Sequence, residues 1–499
     1  MLIIGWRPVD LGPRIIDVDQ DSWRVMAGLR GDMGGWDWET AMLYSEATAT
    51  DTEGNRQAKS LFTSQLLVNG PDALNPFVGP GGNTQAALDG IRISSTDVRT
   101  SELWLADLRF NRGDLFRVFG NDAGAAFGVE FRNEKYIDDR DSRLDGSQPF
   151  TNGAIFDESD VIGVSATFDS EASRSTASGY GELYIPLIGE ANAAPLAQAL
   201  EVQLAARYEN TNDFESTFKP KIGMRYEPGG GFSVRASYTE GFRAPNLPQM
   251  NQGDIIRRID GIADPMRADV TGAPIDTGGT YRRTTRLGNP DLEPEDSETS
   301  LIGFVWQPQF ENEWASGFTI GADFWNIKLE GVVGLIEEED QLELDLVLRQ
   351  QGSSNPNVIR APLTPEDAAL FAAYNAANPN DQRIPVGEAI DIIGQYINLD
   401  PREVEGWDGF MSYATPTTEA GQFTLQADVT QITKYEQQGL ANTDLVRRNG
   451  NPEWRSTLAL NWFFYGFTTN ASMRYVSDVY DTSLAAPAAS GVAGTFDPI

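Results

Sequence analysis

The side chains that most often carry out catalysis are absent from this chain. Its 499 residues include no histidine and no cysteine. This excludes the commonest general base, the usual zinc ligand, thiolate chemistry and disulfides. Serine and cysteine triads that depend on histidine are excluded for the same reason. With 73 acidic residues, carboxylate pairs are expected by chance, so composition alone does not exclude a glycosidase.

Two other kinds of motif could bind ions or phosphates, and both have simpler explanations. The acidic run from Glu337 to Asp340 could bind calcium, but no EF-hand spacing follows it, and a solvated helix start is the alternative. The glycines of Gly79–Gly82 and Gly229–Gly231 lack the Lys-Ser/Thr of a phosphate loop and indicate turns. We therefore predict no metal and no cofactor.

Five arginines occur close together in a chain whose formal net charge is −35. They are Arg257, Arg258, Arg282, Arg283 and Arg286. They could attract an anionic ligand, or they could simply balance neighbouring carboxylates. The overall charge argues against nucleic acid as a partner, because neutralising phosphates requires a basic face.

Strict alternation of apolar and polar residues dominates the chain. Val202, Leu204, Ala206 and Tyr208 alternate with mostly polar residues, and segments such as 232–239 and 422–430 repeat the pattern. A period of two indicates strands with one apolar and one polar face. A soluble sandwich would bury the apolar face, whereas a membrane barrel turns that face to lipid and the charged face to a wet lumen.

Strand length and connection length favour the membrane barrel. Many alternating segments run about 9–11 residues, the span of a tilted membrane strand. Short turns at 33–35, 228–231 and 465–466 alternate with long connections, which we place at 51–99, 136–173, 240–296 and 330–401. Outer-membrane barrels combine short periplasmic turns with long external loops in this way.

The predicted fold class is all-β, an antiparallel transmembrane β-barrel with long external loops that contain short helices. We expect about fourteen strands. They begin near Ser22, Trp36, Thr100, Ala126, Arg174, Leu200, Thr217, Phe232, Glu298, Gly317, Arg402, Gly421, Glu453 and Phe467. Within the last long loop, helices are predicted at 336–351 and from Pro365 to Ala377, the second capped by Thr364.

Two segments resemble motifs of the TonB-dependent outer-membrane receptors. The first is similar to the family's "S-x-G-F-R-A-P-x-L" and comprises Gly241, Phe242, Arg243, Ala244 and Pro245. The second is similar to "G-N-P-x-L-x-P-E" and comprises Gly288, Asn289, Pro290, Leu292, Pro294 and Glu295. The order and spacing of the two segments make the resemblance specific. We interpret both as structural exits from and entries to strands, with ligand contact as the alternative.

The resemblance implies a barrel of about 22 strands. We therefore expect residues 1–499 to form one incomplete barrel domain, with further strands before Ser22 and after Tyr480 and with no plug domain among these residues. It also implies location in the outer membrane of a Gram-negative bacterium, in contact with its lipid. Partners would be TonB, with ExbB and ExbD, through an N-terminal region.

The function implied is the import of a scarce or bulky nutrient, of siderophore, cobalamin, oligosaccharide or peptide type, without enzymatic activity. Two alternatives stay open. One is a passive pore or adhesin barrel without TonB coupling, and the other is a soluble all-β carbohydrate-active enzyme.

Overall fold

Fourteen long antiparallel strands form one sheet in which each strand pairs with the next in sequence. The computed structural model describes residues 6–153, 155–259, 262–272, 282–437, 443–448 and 450–480. The strands are β1 (Ile15–Met33), β2 (Trp36–Gln57), β3 (Arg92–Val118), β4 (Asn121–Asp139), β5 (Ser170–Ile188), β6 (Ala199–Thr211), β7 (Thr217–Gly229), β8 (Phe232–Arg243), β9 (Glu295–Trp306), β10 (Phe318–Glu330), β11 (Arg402–Ala414), β12 (Gln422–Gln437), β13 (Trp454–Phe464) and β14 (Phe467–Val476). The predicted fold class and strand number are confirmed.

The sheet is an open arc rather than a closed cylinder. Within the described residues, β1 pairs only with β2, and β14 pairs along its length only with β13. At one end the strands are joined by connections of two to eleven residues, several of which are tight turns. Between β1 and β2, for example, Gly34 and Gly35 both have positive φ angles, of 65° and 80°. This is the two-residue hairpin turn that matches strand twist. The four connections of thirty residues or more lie at the opposite end.

The first five strands are longer than the sequence pattern predicted. They have 19 to 27 residues, about twice a membrane span. On β1 the additional residues include the exposed Ile15, Ile16 and Val18, whereas β2–β5 continue past the long-connection end of the apolar segment as mostly polar ribbons. On β2 and β3, for example, the Thr48 and Thr100 hydroxyl oxygens lie 3.3 Å apart, as do those of Thr52 and Thr96. The prediction failed because these extensions have polar residues on both faces, so the period of two disappears from the sequence.

Two bands of aromatic rings mark the part of the sheet that fits a membrane. Near the tight turns, Trp36 packs edge-on against Phe127, with ring centroids 5.3 Å apart. Farther along the same strand, Tyr44 contacts Trp23, with centroids 5.0 Å apart. At about 3.3 Å per residue, Trp36 and Tyr44 are about 26 Å apart along the strand. With the roughly 35–45° tilt of barrel strands, this corresponds to about 20 Å of membrane depth, which lies within the roughly 25 Å apolar band that aromatic girdles flank.

The apolar face of the sheet does not enclose a core. Leu183, Leu204 and Ile222 are paired across three neighbouring strands and are all exposed. The clusters of buried hydrophobic residues found in the described part of the chain are instead built by the external connections. This arrangement is the reverse of a soluble protein and fits strands that face lipid.

Four external connections form a folded cap, which we define as the described residues of 58–91, 140–169, 244–294 and 331–401. We expected long loops with two helices folded over the external mouth, and the sheet of the cap was not predicted. It contains a mixed sheet of six short strands. They are Ala166–Thr167, Ile255–Ile259, Arg282–Leu287, Val332–Leu335, Val358–Arg360 and Ala389–Leu399. The hairpin Phe150–Thr151 and Phe156–Asp157 lies beside it, and Thr443–Asp444 pairs with β12.

Both predicted helices are present, as Glu338–Gln350 and Pro365–Ala377. The Thr364 hydroxyl accepts a hydrogen bond from the Asp367 N–H at 3.0 Å and caps the second helix. Shorter helices are Val9–Leu11 (a single 3₁₀ turn), Lys59–Leu66, Gln85–Asp89, Leu247–Asn251, Ala268–Thr271 and Glu313–Ser316. In the described residues, no helix is both long enough and apolar enough to cross a membrane.

Candidate functional site: the cap over the barrel mouth

The cap lies over the polar, concave side of the sheet. Arg174 projects from the polar face of β5, and its guanidinium donates to the Pro245 carbonyl at 2.8 Å. Pro245 follows β8, which lies three strands away from β5. The chain can reach back to Arg174 only if the sheet curves toward its polar face. The charged face therefore lines the lumen, and the segment after β8 crosses its mouth.

The two family-like motifs meet at the rim of the barrel. Arg243, at the end of β8, forms an ion pair with Glu295, the first residue of β9. The Glu295 carboxylate also accepts a hydrogen bond from the backbone N–H of Val333 at 2.7 Å. A Cβ on Gly288 would lie 2.8 Å from the Met250 carbonyl oxygen, so the close approach requires glycine here.

The remaining motif residues attach the cap to this rim. The Asn289 side chain donates to the Tyr396 carbonyl at 2.8 Å. Leu292 is buried in a cluster with Met250 and Val333. Phe242 belongs to β8, whereas Ala244, Pro290 and Pro294 lie in the connection between β8 and β9. This placement agrees with the interpretation of both motifs as structural junctions.

The five candidate arginines converge on one hairpin of the cap. Arg257 and Arg258 lie on strand Ile255–Ile259, and Arg282, Arg283 and Arg286 lie on strand Arg282–Leu287. The two strands pair in antiparallel fashion, with Arg258 opposite Arg283. The strand pair divides these residues between its two faces, with Arg258 and Arg283 on one face and Arg257, Arg282 and Arg286 on the other.

Each candidate arginine has carboxylate partners. Arg257 contacts Glu338 at 3.0 Å. Arg286 contacts Glu337 at 2.7 Å and Glu338 at 3.4 Å. Arg283 pairs with Asp391 and lies 3.4 Å from Glu158. Arg282 is 3.9 Å from Asp264. The run from Glu337 to Asp340 begins a helix, as expected, and three of its four residues are exposed. Only Glu338 is buried, and it binds two arginines.

Arg258 is the most accessible of the five. Its side chain is 37% exposed and lies 3.4 Å from Asp157 and 3.5 Å from Glu158. It lines a cleft of about 310 Å³ together with Lys59, Asp157, Ser165 and Ile256. Lys59 contacts the same Asp157 at 2.8 Å. Two cations therefore share one carboxylate at the edge of an open cleft.

A buried group of charges joins two connections inside the cap. Arg360 contacts Asp264 at 2.6 Å and Asp345 at 2.8 Å, and both carboxylates are almost fully buried. Asp345 also contacts Arg349 at 2.9 Å and accepts the backbone N–H of Asn355 at 3.0 Å. Such a group is stable only while every member is paired.

Two buried carboxylates of the cap, those of Asp345 and Glu338, are held ionised by their partners. Burial alone would raise the pKa of Asp345, but hydrogen bonds from Asn355, Arg360 and Arg349 outweigh it and lower that pKa. Burial likewise opposes the lowered pKa of Glu338, which results from a backbone hydrogen bond and from Arg286 and Arg257. The cap therefore depends on carboxylates that must stay charged.

Acid should unfold the cap before the barrel wall. A carboxyl group whose pKa is lower in the folded state stabilises that state above its unfolded pKa. This contribution is lost as the pH falls from about 4 through the lower folded value. We expect peptic cleavage within residues 338–399 to increase sharply below about pH 4, while β6–β9 stay protected. Uniform cleavage of cap and wall at every pH would contradict this expectation.

The lumen wall carries its own charged side chains. Arg207 on β6 contacts Glu209 at 2.5 Å and the hydroxyl of Ser178 at 2.8 Å. Arg235 on β8 reaches Asp323 on β10 at 2.9 Å. The contact between Arg235 and Asp323 passes over β9 at Gly303, where an added Cβ would lie 1.8 Å from the Asp323 carboxylate. In a region without an apolar core, these contacts stabilise the polar face.

The fold and the site define the class of this protein: it is the wall of a transmembrane β-barrel with a folded external cap. Residues 4–496 match the family model described as TonB dependent receptor-like, beta-barrel. The chain belongs to this family. A comparison with curated proteins finds no match.

Solved structures support the fold. The chain is similar to two variants of the ferric enterobactin receptor PfeA from Pseudomonas aeruginosa. The first has a TM-score of 0.53 and 12% identity, over 93% of this chain and 50% of that one. The second has a TM-score of 0.52 and 13% identity, over 92% and 50%. The chain thus spans about half the length of these receptors.

Proposed function

We propose that this chain forms the wall and external cap of an outer-membrane receptor that imports a scarce or bulky nutrient. Residues 1–499 would form one barrel domain. The observation that carries the proposal is the polarity of the sheet, whose charged face lies under a folded cap while its apolar face is exposed. Membership of the TonB-dependent receptor family supports import rather than adhesion.

Transport would draw on TonB, together with ExbB and ExbD, and the cargo would be of siderophore, cobalamin, oligosaccharide or peptide type. No covalent step is needed, because the task is to bind a ligand and open a path. A passive pore is the second candidate. It is disfavoured because a pore that conducts continuously does not need a cap with buried ionic contacts. A soluble carbohydrate-active enzyme conflicts with the exposed apolar face.

The five arginines of the cap hairpin are the candidate ligand contacts, with Arg258 the most accessible. An incoming carboxylate or phenolate could replace Asp157 beside Arg258 and Lys59. The more buried Arg282 would keep a structural role.

The test is uptake by the complete natural receptor in cells with and without TonB. Because the similar structures are ferric enterobactin receptors, ferric enterobactin carrying radioactive iron is the first probe. We expect accumulation that falls to background without TonB and falls several-fold in Arg258→Gln cells with equal receptor at the surface. If TonB loss leaves uptake of every cargo class unchanged, the receptor is a passive pore.

A further inference from the structure

The connections that follow β8 and β10 share one interior. Residues 244–294 and 331–401 jointly build three clusters of buried hydrophobic residues. The first includes Ile262 and Leu342, the second Met250 and Val333, and the third Met266 and Phe371. In each pair, the first residue belongs to one connection and the second to the other. Neither connection can keep its core if the other leaves.

Their backbones and charges are joined as well. Strand Arg282–Leu287 of one connection pairs in parallel with strand Ala389–Leu399 of the other. Arg360 of the second connection lies between Asp345 of the same connection and Asp264 of the first. Arg267 spans the same boundary and contacts Asp367 at 2.7 Å. A single interior, a shared sheet and a shared ionic group indicate one folding unit.

This unit is joined covalently to one side of the mouth, and its first residues also contact β5, where the Arg174 guanidinium donates to the Pro245 carbonyl at 2.8 Å. Its chain ends join β8, β9, β10 and β11, which are consecutive neighbours in the barrel sheet. From there it reaches across to the connection 140–169. That seam includes the two-residue pairing of Ile255–Ile256 with Ala166–Thr167 and the hydrogen bond from the Phe168 N–H to the Asp254 carbonyl at 3.0 Å. Arginine contacts to Asp157 and Glu158 at 3.4 to 3.5 Å also cross it.

The connection 58–91 is built differently. Its buried residues Leu74, Ala87, Leu88 and Ile91 pack with Leu11, which comes from the start of the chain. Its contacts to 140–169 are polar, such as Lys59 to Asp157 and the Ser60 hydroxyl to Asp160 at 2.6 Å. It therefore has an interior of its own.

We propose that residues 244–294 and 331–401 are a single lid. The lid opens cooperatively: its shared core and sheet are lost together while its chain ends stay at the rim of β8–β11, and it parts from the connection 140–169 at the seam, with Arg360 as its internal latch. The connection 58–91 opens independently. Only the purpose of the opening, admission of cargo, rests on the proposed function; the cooperativity is a property of the fold.

Hydrogen exchange on the full receptor in detergent tests the proposal without a ligand. Under conditions where exchange is limited by opening, peptides covering 255–259, 282–287, 338–350 and 389–399 should exchange with one shared rate. Peptides from 59–66 and 85–91 should show a different rate. Separate rates for the two connections would overturn the single lid, whatever the fate of the import proposal.

The latch variant is Asp264→Asn, and its matched control is Asp381→Asn, which removes an exposed carboxylate beside Arg383. We expect the latch variant to raise the shared lid rate at least about tenfold in both connections, with no change in 59–66. The control should leave every rate unchanged. If acceleration is confined to peptides next to residue 264, the latch assignment is wrong.

Opening at the seam has a separate test. The introduced cysteines can pair only with each other within this chain, because its sequence has no cysteine. A disulfide across the seam, from Ala166→Cys with Ile256→Cys, joins two register partners. It should slow the shared opening of the lid at least about tenfold, and reduction should restore the rate. A lid rate that is the same in the oxidised and reduced forms would contradict an opening at the seam. Failure of the disulfide to form would contradict the seam contact itself.

Discussion

Leu204→Arg is expected to abolish stable insertion of the barrel into membranes. Leu204 is exposed on the apolar face of β6, with Leu183 and Ile222 as its cross-strand partners. If this face contacts lipid, an arginine at mid-depth costs about 2–4 kcal/mol. The amount of heat-modifiable, folded receptor in the outer membrane measures the effect. It should fall to a small fraction of the wild-type amount.

The matched control introduces the same side chain one residue earlier. Gln203 lies on the polar face, where it donates to Glu182 at 2.6 Å. Gln203→Arg gains a carboxylate partner in a wet lumen and should insert with near wild-type yield. Equal damage from both substitutions would mean that the two faces of β6 have the same environment.

Arg360→Gln is expected to unfold the lid while leaving the wall intact. The substitution leaves Asp264 and Asp345 buried without their shared cation. Removing one partner from a buried ionic group typically costs about 3–5 kcal/mol, and we expect the lid to lose that much stability. Limited proteolysis should then cleave within 331–401, and the barrel should retain its resistance to heat in detergent.

Arg383→Gln provides the comparison. Arg383 contacts Asp269 and Asp381, whose side chains are both 57% exposed. Surface pairs of this kind contribute about 0–1 kcal/mol, so the lid should stay protected. If Arg383→Gln were as damaging as Arg360→Gln, burial of the ionic group would not explain its importance.

The sequence predicted the membrane portion of the fold well because lipid imposes a simple rule. Each membrane strand needs one continuous apolar face. Apolar and polar residues therefore alternate in segments such as 200–209. Tight turns such as Gly34–Gly35 mark the strand ends. Even the segment from Arg174, whose polar face is interrupted by tyrosines, is a strand, Ser170–Ile188.

The cap was not predictable in the same way. Its parallel pairing joins Arg283 to Asp391, which are more than a hundred residues apart, and no local period reports such a contact. Segment 389–399 has an apolar composition that suited several structures, and its partners decide that it is a strand. The helices were predictable because their signals are local, such as Thr364 before Pro365.

The candidate arginines illustrate what sequence alone leaves open. Their clustering was visible in the sequence, but the choice between attracting a ligand and balancing charge depended on distances. The structure supplies carboxylates from other connections, such as Glu338 for Arg257 and Arg286. The sequence did contain one signal for these ion pairs. The acidic run 337–340 and the arginines lie in two connections that start from neighbouring pairs of strands, so they were expected on the same side of the mouth.

The most direct test of the account is a set of single cysteines along β6 of the receptor in lipid vesicles. Positions 202, 204, 206 and 208 should be protected from a water-soluble maleimide and should report contact with spin-labelled lipid. Positions 201, 203, 205 and 207 should react with the maleimide through the lumen and avoid the lipid label. Reversal of the two sets, or loss of the alternation, would contradict a sheet whose apolar face meets the membrane.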